Sequence, residues 1–331
     1  MTVREEDEFL HAPPAPTPSR WQENMFFICW DVASDSGLLC HIRRAPTMGV
    51  QEAQVVVALD GRVGSSLVEG AFTAEALVAP LSAVPVDPFR RWSFRFDGRG
   101  VEGAGPLGFV AVAAGGDTPI TVDITLESAL PVVDFAERLT AMVAAMRAAP
   151  DGPQMGEQQH YEQGGTWYGR LRVGDGQRDV SGLFVRDHSW GVRREQQQFE
   201  AFWTASCLDE GRIFCNAIGV PSGDRVVGIG AVVDASGVTF TQEVSASFSP
   251  AAGIAAYERT TVAFGAPVAR TLTAQTCRHL PLYLPGSGTN RYDNNAISTA
   301  QMHGAAGFGV MEWASVLSDA DAALLHAEPI T

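Results

Sequence analysis

The stretch at residues 182–193 reads GLFVRDHSWGVR and joins an apolar run to a dense group of functional side chains. A short β-forming run bounded by glycine indicates a strand, because glycine lets the backbone turn. Side chains of a strand alternate between its two faces. The pattern therefore predicts one face with Phe184, Arg186, His188 and Trp190 and an opposite face with Val185, Asp187 and Ser189.

Two interpretations of this stretch stay open from the residues alone. Asp187 and His188 would act on one substrate only where the strand ends or bulges, since neighbours in a regular strand point apart. In the alternative, Asp187 and the arginines form a structural ion-pair network, and His188 is a hydrogen-bonded core residue. The first interpretation makes the stretch a reaction site, and the second makes it scaffolding.

The rest of the chain repeats short runs of β-forming residues that are separated by turn residues. Asp60-Gly61, Asp97-Gly98 and Asp175-Gly176 are typical hairpin turns between such runs. The aromatic segment from Trp21 to Asp31 opens the folded part and is best interpreted as a first core strand. The sequence predicts an all-β, mainly antiparallel fold built of barrels or sandwiches.

Two segments depart from this β pattern. Apolar residues from Val132 to Met146 recur at helical spacing, so we expect one linking helix there and a short last helix from Asp319 to His326. A break at residues 151–153 separates two halves. We expect a proline-rich N-terminal arm (1–20), of which residues 11–19 lie extended over the surface, an N-terminal β domain (21–152) and a C-terminal β domain that carries the opening stretch (153–331).

Composition restricts the partners. A net charge of −15 and a pI near 4.8 disfavour nucleic acid and anionic lipid, which repel an acidic surface. The acidic start is unlike a secretion signal, and no apolar run approaches membrane-spanning length. Five scattered cysteines without a C-x-x-C pair are typical of reduced thiols. We expect a cytoplasmic protein with a hydrophobic small molecule as partner, no membrane insertion, and a sequence compatible with a homodimer.

The common cofactor-binding motifs are either missing from the sequence or stand in a context that does not suit them. Residues 98–103 and 103–108 match G-x-G-x-x-G, but no crossover helix follows, and Pro106 stands where that helix would begin. The sequence has no phosphate-binding loop, no G-x-S-x-G elbow and no H-E-x-x-H. Its seven histidines are too far apart for a local ligand cluster, which leaves only a metal site assembled by the fold. We therefore predict no cofactor and no metal.

Polar groups inside otherwise apolar strands are the remaining candidates. Glu162 follows Tyr161 in one such strand, and Glu312 stands between two apolar residues in another. A carboxylate in an apolar pocket is held partly protonated, as a general acid near neutral pH must be. Glu162 or Glu312 is therefore a candidate acid, although each can instead neutralise Arg186 or Arg193 in a buried pair.

At these residues the chain resembles the two-domain lipocalin-like proteins related to hydroxyneurosporene synthase, a carotenoid hydratase. The resemblance is carried by His160-Tyr-Glu-Gln163, RDHSWG at 186–191, the late Glu312, and the Trp21, Asn24 and Phe26 group. The RDHSWG string is most similar to a largely uncharacterised bacterial branch. The resemblance implies two lipocalin-like β-barrel halves around an apolar cavity and cofactor-free chemistry on isoprenoid or other natural products.

The leading hypothesis is a cofactor-independent enzyme that hydrates, dehydrates, isomerises or cyclises a terpenoid-like or polycyclic molecule. In this scheme Asp187, Glu162 or Glu312 gives a proton to an alkene or a leaving hydroxyl, and His188 orients the acid or takes the proton back. Cation–π attraction from indole faces would stabilise the resulting charge. The expected binding residues are Trp190, Tyr161, Trp203, Arg186 and Arg193. A non-catalytic carrier and a shape-driven cyclase or pericyclase are the alternatives.

Overall fold

The computed structural model of the chain describes residues 3–103, 115–135, 138, 158–192, 201–222, 225–250, 257–283 and 291–316. In this part of the chain, almost all regular structure is antiparallel strand. Among the described residues, the helical elements of three or more residues are short 3-10 turns at Glu5–Glu8, Pro46–Met48 and Asp209–Gly211. The predicted all-β, mainly antiparallel class is confirmed.

The first compact unit is a barrel closed by eight strands in the order β10-β1-β2-β3-β4-β6-β7-β9, with β9 pairing back to β10. Two shorter strands lie beside this ring, β5 against β6 and β8 against β9. The strands are β1 (Trp21–Asp31), β2 (Ser36–Ala45), β3 (Val50–Leu59), β4 (Arg62–Ala71), β5 (Leu81–Asp87), β6 (Arg91–Glu102), β7 (Thr118–Glu127), β8 (Val133–Asp134), β9 (Gln158–Val173) and β10 (Gly176–Val192).

The second unit is a barrel in which each strand pairs with the next and the last pairs with the first. Its strands are β11 (Ala201–Leu208), β12 (Ile213–Ser222), β13 (Arg225–Asp234), β14 (Gly237–Pro250), β15 (Tyr257–Phe264), β16 (Arg270–Tyr283), β17 (Arg291–Met302) and β18 (Ala305–Val316). Closure pairs the strands of each ring with a neighbour on both sides, whereas the short strands β5 and β8 pair on one side only.

The boundary between the two units differs from the expected one near residue 152. Strands β9 and β10 belong to the first barrel, so the units divide between Val192 and Ala201. The physical reason is that β10 pairs along its length with β1 and β9, and these long-range pairings close the ring. The RDHSWG string therefore lies in the first barrel and not in the C-terminal domain.

The start of the predicted linking helix is a strand. Val133–Asp134, at the start of the predicted linking helix, forms a short strand against Glu162 and Tyr161, so no helix begins at Val132. Arg138 is helical. The remainder of that helix and the predicted helix from Asp319 lie outside the described residues.

The two barrel interiors differ in side-chain size. The first is filled by large groups such as Phe27, Phe94 and Trp167, each at most 1% exposed. The buried cluster of the second contains five alanines, Ala217, Ala246, Ala274, Ala296 and Ala300. All five cysteines of the chain are free thiols. Among the described residues, no helix has the length and hydrophobicity needed to cross a membrane.

Candidate functional site

The RDHSWG segment lies within the regular strand β10, and its side chains alternate as the sequence predicts. His188 is opposite Met25 on β1 and opposite Tyr161 on β9, and Met25 belongs to the inner core of the barrel. His188 therefore points inward, and Asp187 lies on the outer face. Because the strand has no bulge here, the structure does not bring Asp187 and His188 together at one site.

The N-terminal segment enters this end of the first barrel and inserts Glu8. The carboxylate of Glu8 accepts hydrogen bonds from Trp92 Nε1 (2.6 Å), the Tyr161 hydroxyl (2.6 Å), Arg186 (2.7 Å) and the Phe89 backbone N–H (3.0 Å). Burial opposes ionisation of Glu8, but the Arg186 charge and these hydrogen bonds outweigh it and lower its pKa. Glu8 itself is 0% exposed, although it stands in the N-terminal arm.

Glu23 forms the second buried carboxylate of the inner face. Its Oε1 is 2.7 Å from His11 Nδ1 and 2.9 Å from His188 Nε2, and its Oε2 accepts from the guanidinium of Arg44. Burial would raise the pKa of Glu23, but its close contacts with the two imidazoles and with the Arg44 charge hold that pKa far below its usual range. Trp190 stacks on the His11 ring at 4.0 Å.

These inner groups form one continuous chain of contacts. Tyr161 links the two carboxylates, since its hydroxyl also lies 3.1 Å from His188 Nδ1. Burial raises the pKa of Tyr161 and lowers that of His188. The side chains of Glu8, Glu23 and Arg186 have at most 1% of their surface exposed. The inner face therefore brings together four predicted residues, Tyr161, Arg186, His188 and Trp190, in a packed network.

A pocket of about 270 Å³ lies beside this network at the N-terminal segment. Its walls include Phe9, Leu10, Met25 and Trp92, and Glu8 contributes its polar side. Ligand pockets for drug-sized molecules usually span roughly 300–1,000 Å³. The volume of this pocket is therefore small for a polycyclic substrate.

A different group of acid–base residues lies on the outer face of the same strands. Glu162 on β9 is directly opposite Asp187 on β10, and Glu162 Oε1 is 2.8 Å from His160 Nε2. Phe26 is the cross-strand neighbour of Asp187 on β1, and the Phe135 ring lies 6.0 Å from the His160 ring. We call Glu162, His160 and Asp187 the outer-face group. It combines two carboxylates and an imidazole with aromatic neighbours.

This outer face is polar and yet shielded from water. Arg43 Nε lies 3.1 Å from Glu52 Oε1 there, and both side chains are less than 10% exposed. Electrostatic interactions are stronger in such a desolvated setting than in water. The buried polar residues that share this face include Asn24, Arg43, Glu52, Gln54, Glu162 and Ser189. His160 keeps 12% of its side chain exposed.

The remaining predicted residues belong to the second barrel or fall outside the described residues. Trp203 on β11 is opposite Glu312 on β18, and both are half-buried. Met311 packs in the inner core, so Glu312 and Trp203 lie on the outer face of the second barrel. Their roles stay predictions. Arg193 lies outside the described residues.

Sequence reasoning missed Glu8, His11, Glu23 and His160 as members of these groups. Glu8 stands in an acidic run that is typical of a solvated surface, and His11 precedes a proline-rich stretch. Neither position carries a periodic signal that would reveal a partner more than 100 residues away, such as Arg186 for Glu8. For His160 the local spacing to Glu162 was a usable signal, because residues two apart share one face of a strand.

The fold and the buried groups define a class of protein, a lipocalin-like double barrel with acid–base residues on its strands. The chain belongs to the family DUF7064, described as a domain of unknown function, whose profile matches residues 4–317. No curated protein matches the sequence. The predicted resemblance to lipocalin-like relatives of the carotenoid hydratase is confirmed.

Solved structures show the same architecture at low sequence identity. A protein named AttH from Nitrosomonas europaea is 15% identical over 90% of this chain and 92% of its own, with a TM-score of 0.62. Kievitone hydratase from Nectria haematococca is 10% identical over 95% and 93%, with a TM-score of 0.57. CghA in complex with Sch210972 is 13% identical over 92% and 90%, with a TM-score of 0.52. These likenesses establish the fold.

Proposed function

We propose that this protein is an enzyme that performs acid–base chemistry on an apolar small molecule at the outer-face group. The observation that supports this most strongly is the 2.8 Å contact between Glu162 and His160 on a buried face, with Asp187 directly opposite. General acid–base catalysis needs a proton donor and a proton acceptor within hydrogen-bond reach of the reacting atoms. A substrate could reach this pair at His160, which keeps 12% of its side chain exposed.

Hydration of an alkene illustrates what the pair can do. Glu162 donates its proton to one alkene carbon, and a carbocation develops on the other. Water adds its oxygen to that carbon while His160 takes a proton from the water, which leaves an alcohol. The proton then passes from His160 to Glu162 across their hydrogen bond, and the pair returns to its starting state. Dehydration is the same sequence in reverse.

The neighbours of the pair suit an apolar substrate that passes through a cation. The rings of Phe26 and Phe135 flank the outer-face group and can stabilise positive charge by cation–π attraction. The carboxylate of Asp187 adds a negative charge on the same face. This combination favours a terpenoid-like or polycyclic alkene or alcohol and requires only side chains and water. A hydratase among the structural neighbours supports hydration as the reaction class.

The test is incorporation of solvent oxygen into product. The purified protein is incubated with a panel of isoprenoid and polycyclic alkenes in heavy-oxygen water, and alcohols are detected by mass spectrometry. Glu162→Gln should lower turnover by at least about 100-fold while ligand binding persists, because it removes the proton but keeps the shape. Glu127→Gln, at an exposed position on β7, is the matched control and should retain full turnover. Unchanged turnover in Glu162→Gln would refute this assignment.

A non-catalytic carrier is the second candidate, and the second barrel is the reason to retain it. Its buried cluster is rich in alanine, and Phe248 lies 5.2 Å from Phe202 and 5.0 Å from Trp313 between ring centroids. Small and aromatic side chains suit a barrel that holds an apolar ligand. Mass spectrometry of the protein as purified separates the candidates. A carrier releases its ligand unchanged in heavy-oxygen water, and Glu162→Gln leaves its affinity intact.

A further inference from the structure

The hydrogen bonds of the inner network determine which ring nitrogen of His188 carries a hydrogen. Glu8 accepts from four donors and is therefore a carboxylate, so the single proton of the Tyr161 hydroxyl points to Glu8 at 2.6 Å. The Tyr161 oxygen can then only accept from His188 Nδ1, which lies 3.1 Å away. His188 Nδ1 consequently carries a hydrogen.

This assignment places a lone pair of His188 against a carboxylate. A neutral imidazole has one N–H, so His188 Nε2 faces Glu23 Oε1 at 2.9 Å without a proton between them. The same oxygen is also 2.7 Å from His11 Nδ1 and accepts the His11 backbone N–H at 2.9 Å. Three nitrogens therefore lie around one oxygen, and the lone pair of His188 Nε2 needs a cation between itself and that oxygen to make the contact favourable.

We infer that His11 Nδ1, His188 Nε2 and Glu23 Oε1 bind a divalent transition-metal ion of the zinc type. The three atoms lie within 4.8 Å of one another, and Glu23 and His188 are buried. Two imidazole nitrogens and one carboxylate oxygen are a donor set that zinc and neighbouring metals favour. The described residues bring only these three donor atoms together, so water molecules complete the coordination sphere of the ion.

The surroundings of the three ligands are those of a built metal site. Metal-bound histidines and carboxylates are usually fixed by hydrogen bonds from their other polar atoms. Tyr161 engages the second nitrogen of His188, and Arg44 engages the second oxygen of Glu23. The nearby carboxylate of Asp7, 3.6 Å from His11 Nε2, offsets part of the positive charge that the ion and Arg44 add.

The ion would fasten the N-terminal segment to the barrel wall. His11 precedes the first strand, Glu23 is on β1 and His188 is on β10. Glu23 is 12 residues from His11 and 165 residues from His188 in sequence, which explains why histidine spacing alone gives no indication of the site. The role is structural and separate from the outer-face group, so its test is independent of the proposed reaction.

The test uses full-length, tag-free protein that has been treated with chelator and titrated with ZnCl2 by calorimetry. We expect one ion per chain and a rise in thermal unfolding temperature on binding, because a ligand of the folded state stabilises it. His11→Ala should weaken zinc binding by at least about 100-fold, since a ligand and not a supporting residue is lost. His303→Ala, at an exposed position in the second barrel, is the control and should bind zinc normally.

Cobalt(II) titration of the unmodified protein provides a second measurement that does not depend on folding of a variant. The visible bands should be those of nitrogen and oxygen ligands, without the near-ultraviolet bands of cobalt–thiolate bonds. The inference is overturned by absence of zinc binding, by unchanged binding in His11→Ala, or by thiolate bands that point to the cysteines. His188 and Glu23 would then form an imidazolium–carboxylate pair.

Discussion

Glu8 places an ionised carboxylate inside the first barrel, where Arg186 is its counter-charge at 2.7 Å. Removing one partner of a buried ion pair leaves the other charge without compensation, which usually costs about 3–5 kcal/mol. We therefore expect Glu8→Gln to lower the free energy of unfolding by about that amount at pH 7 in urea titrations. Glu5→Gln, at an exposed position in the same turn, should change it by less than about 0.5 kcal/mol. Equal stability of both variants would show that Arg186 is satisfied without Glu8.

The same variant has a pH dependence with a definite sign. The pKa of Glu8 is lowered in the folded protein from its ordinary value of 4.5, so its stabilising contribution is complete above that value. It is lost as the pH falls through the lower folded pKa, because wild-type Glu8 then takes up a proton and resembles glutamine. The difference in unfolding free energy between wild type and Glu8→Gln should be constant from pH 7 to about pH 5 and shrink in more acidic solution.

At the level of single elements, the backbone of β10 approaches that of β1 closely at Gly182. A Cβ added to Gly182 would lie 2.3 Å from the backbone oxygen of Trp30, and backbone atoms cannot move aside cheaply. We expect Gly182→Ala to separate the two strands locally and to lower the free energy of unfolding by about 1–3 kcal/mol. Ser181→Ala, at the exposed neighbouring position, is the control. Stability within about 0.5 kcal/mol of wild type for Gly182→Ala would contradict this close approach.

The strands also show how far the sequence could predict this structure. Alternation along β10 predicted that Arg186, His188 and Trp190 share one face, because side-chain direction is a local property of a strand. The sequence could not show that β9 and β10 belong to the first barrel. Closure of that barrel depends on the pairing of β10 with β1, which lies more than 100 residues earlier in the chain. Hairpin signals fix neighbours along the chain but carry no information about which strands close a ring.

The candidate site could likewise be predicted only where its signals are local in sequence. Glu162, Asp187 and His188 were identifiable because charged and imidazole groups stand out in apolar strands. The partners that decide the roles of these residues could not be identified from the sequence, because Glu8 and His11 come from a segment without periodicity. The structure thereby separates an inner network around His188 from an outer-face group around Glu162. The leading hypothesis from the sequence had combined both in one site.

For the whole molecule, the excess of 38 acidic over 23 basic residues leaves a net charge of −15 that opposes compaction. Exposed ion pairs such as Arg62–Glu102 and Arg170–Asp179 contribute little against it. Salt screens exposed charges over about 10 Å at 0.1 M, whereas the buried Glu8–Arg186 pair is screened far less. The thermal unfolding temperature should therefore rise between about 0.01 and 0.2 M sodium chloride in scanning fluorimetry. A fall would mean that exposed pairs stabilise the fold more than net repulsion destabilises it.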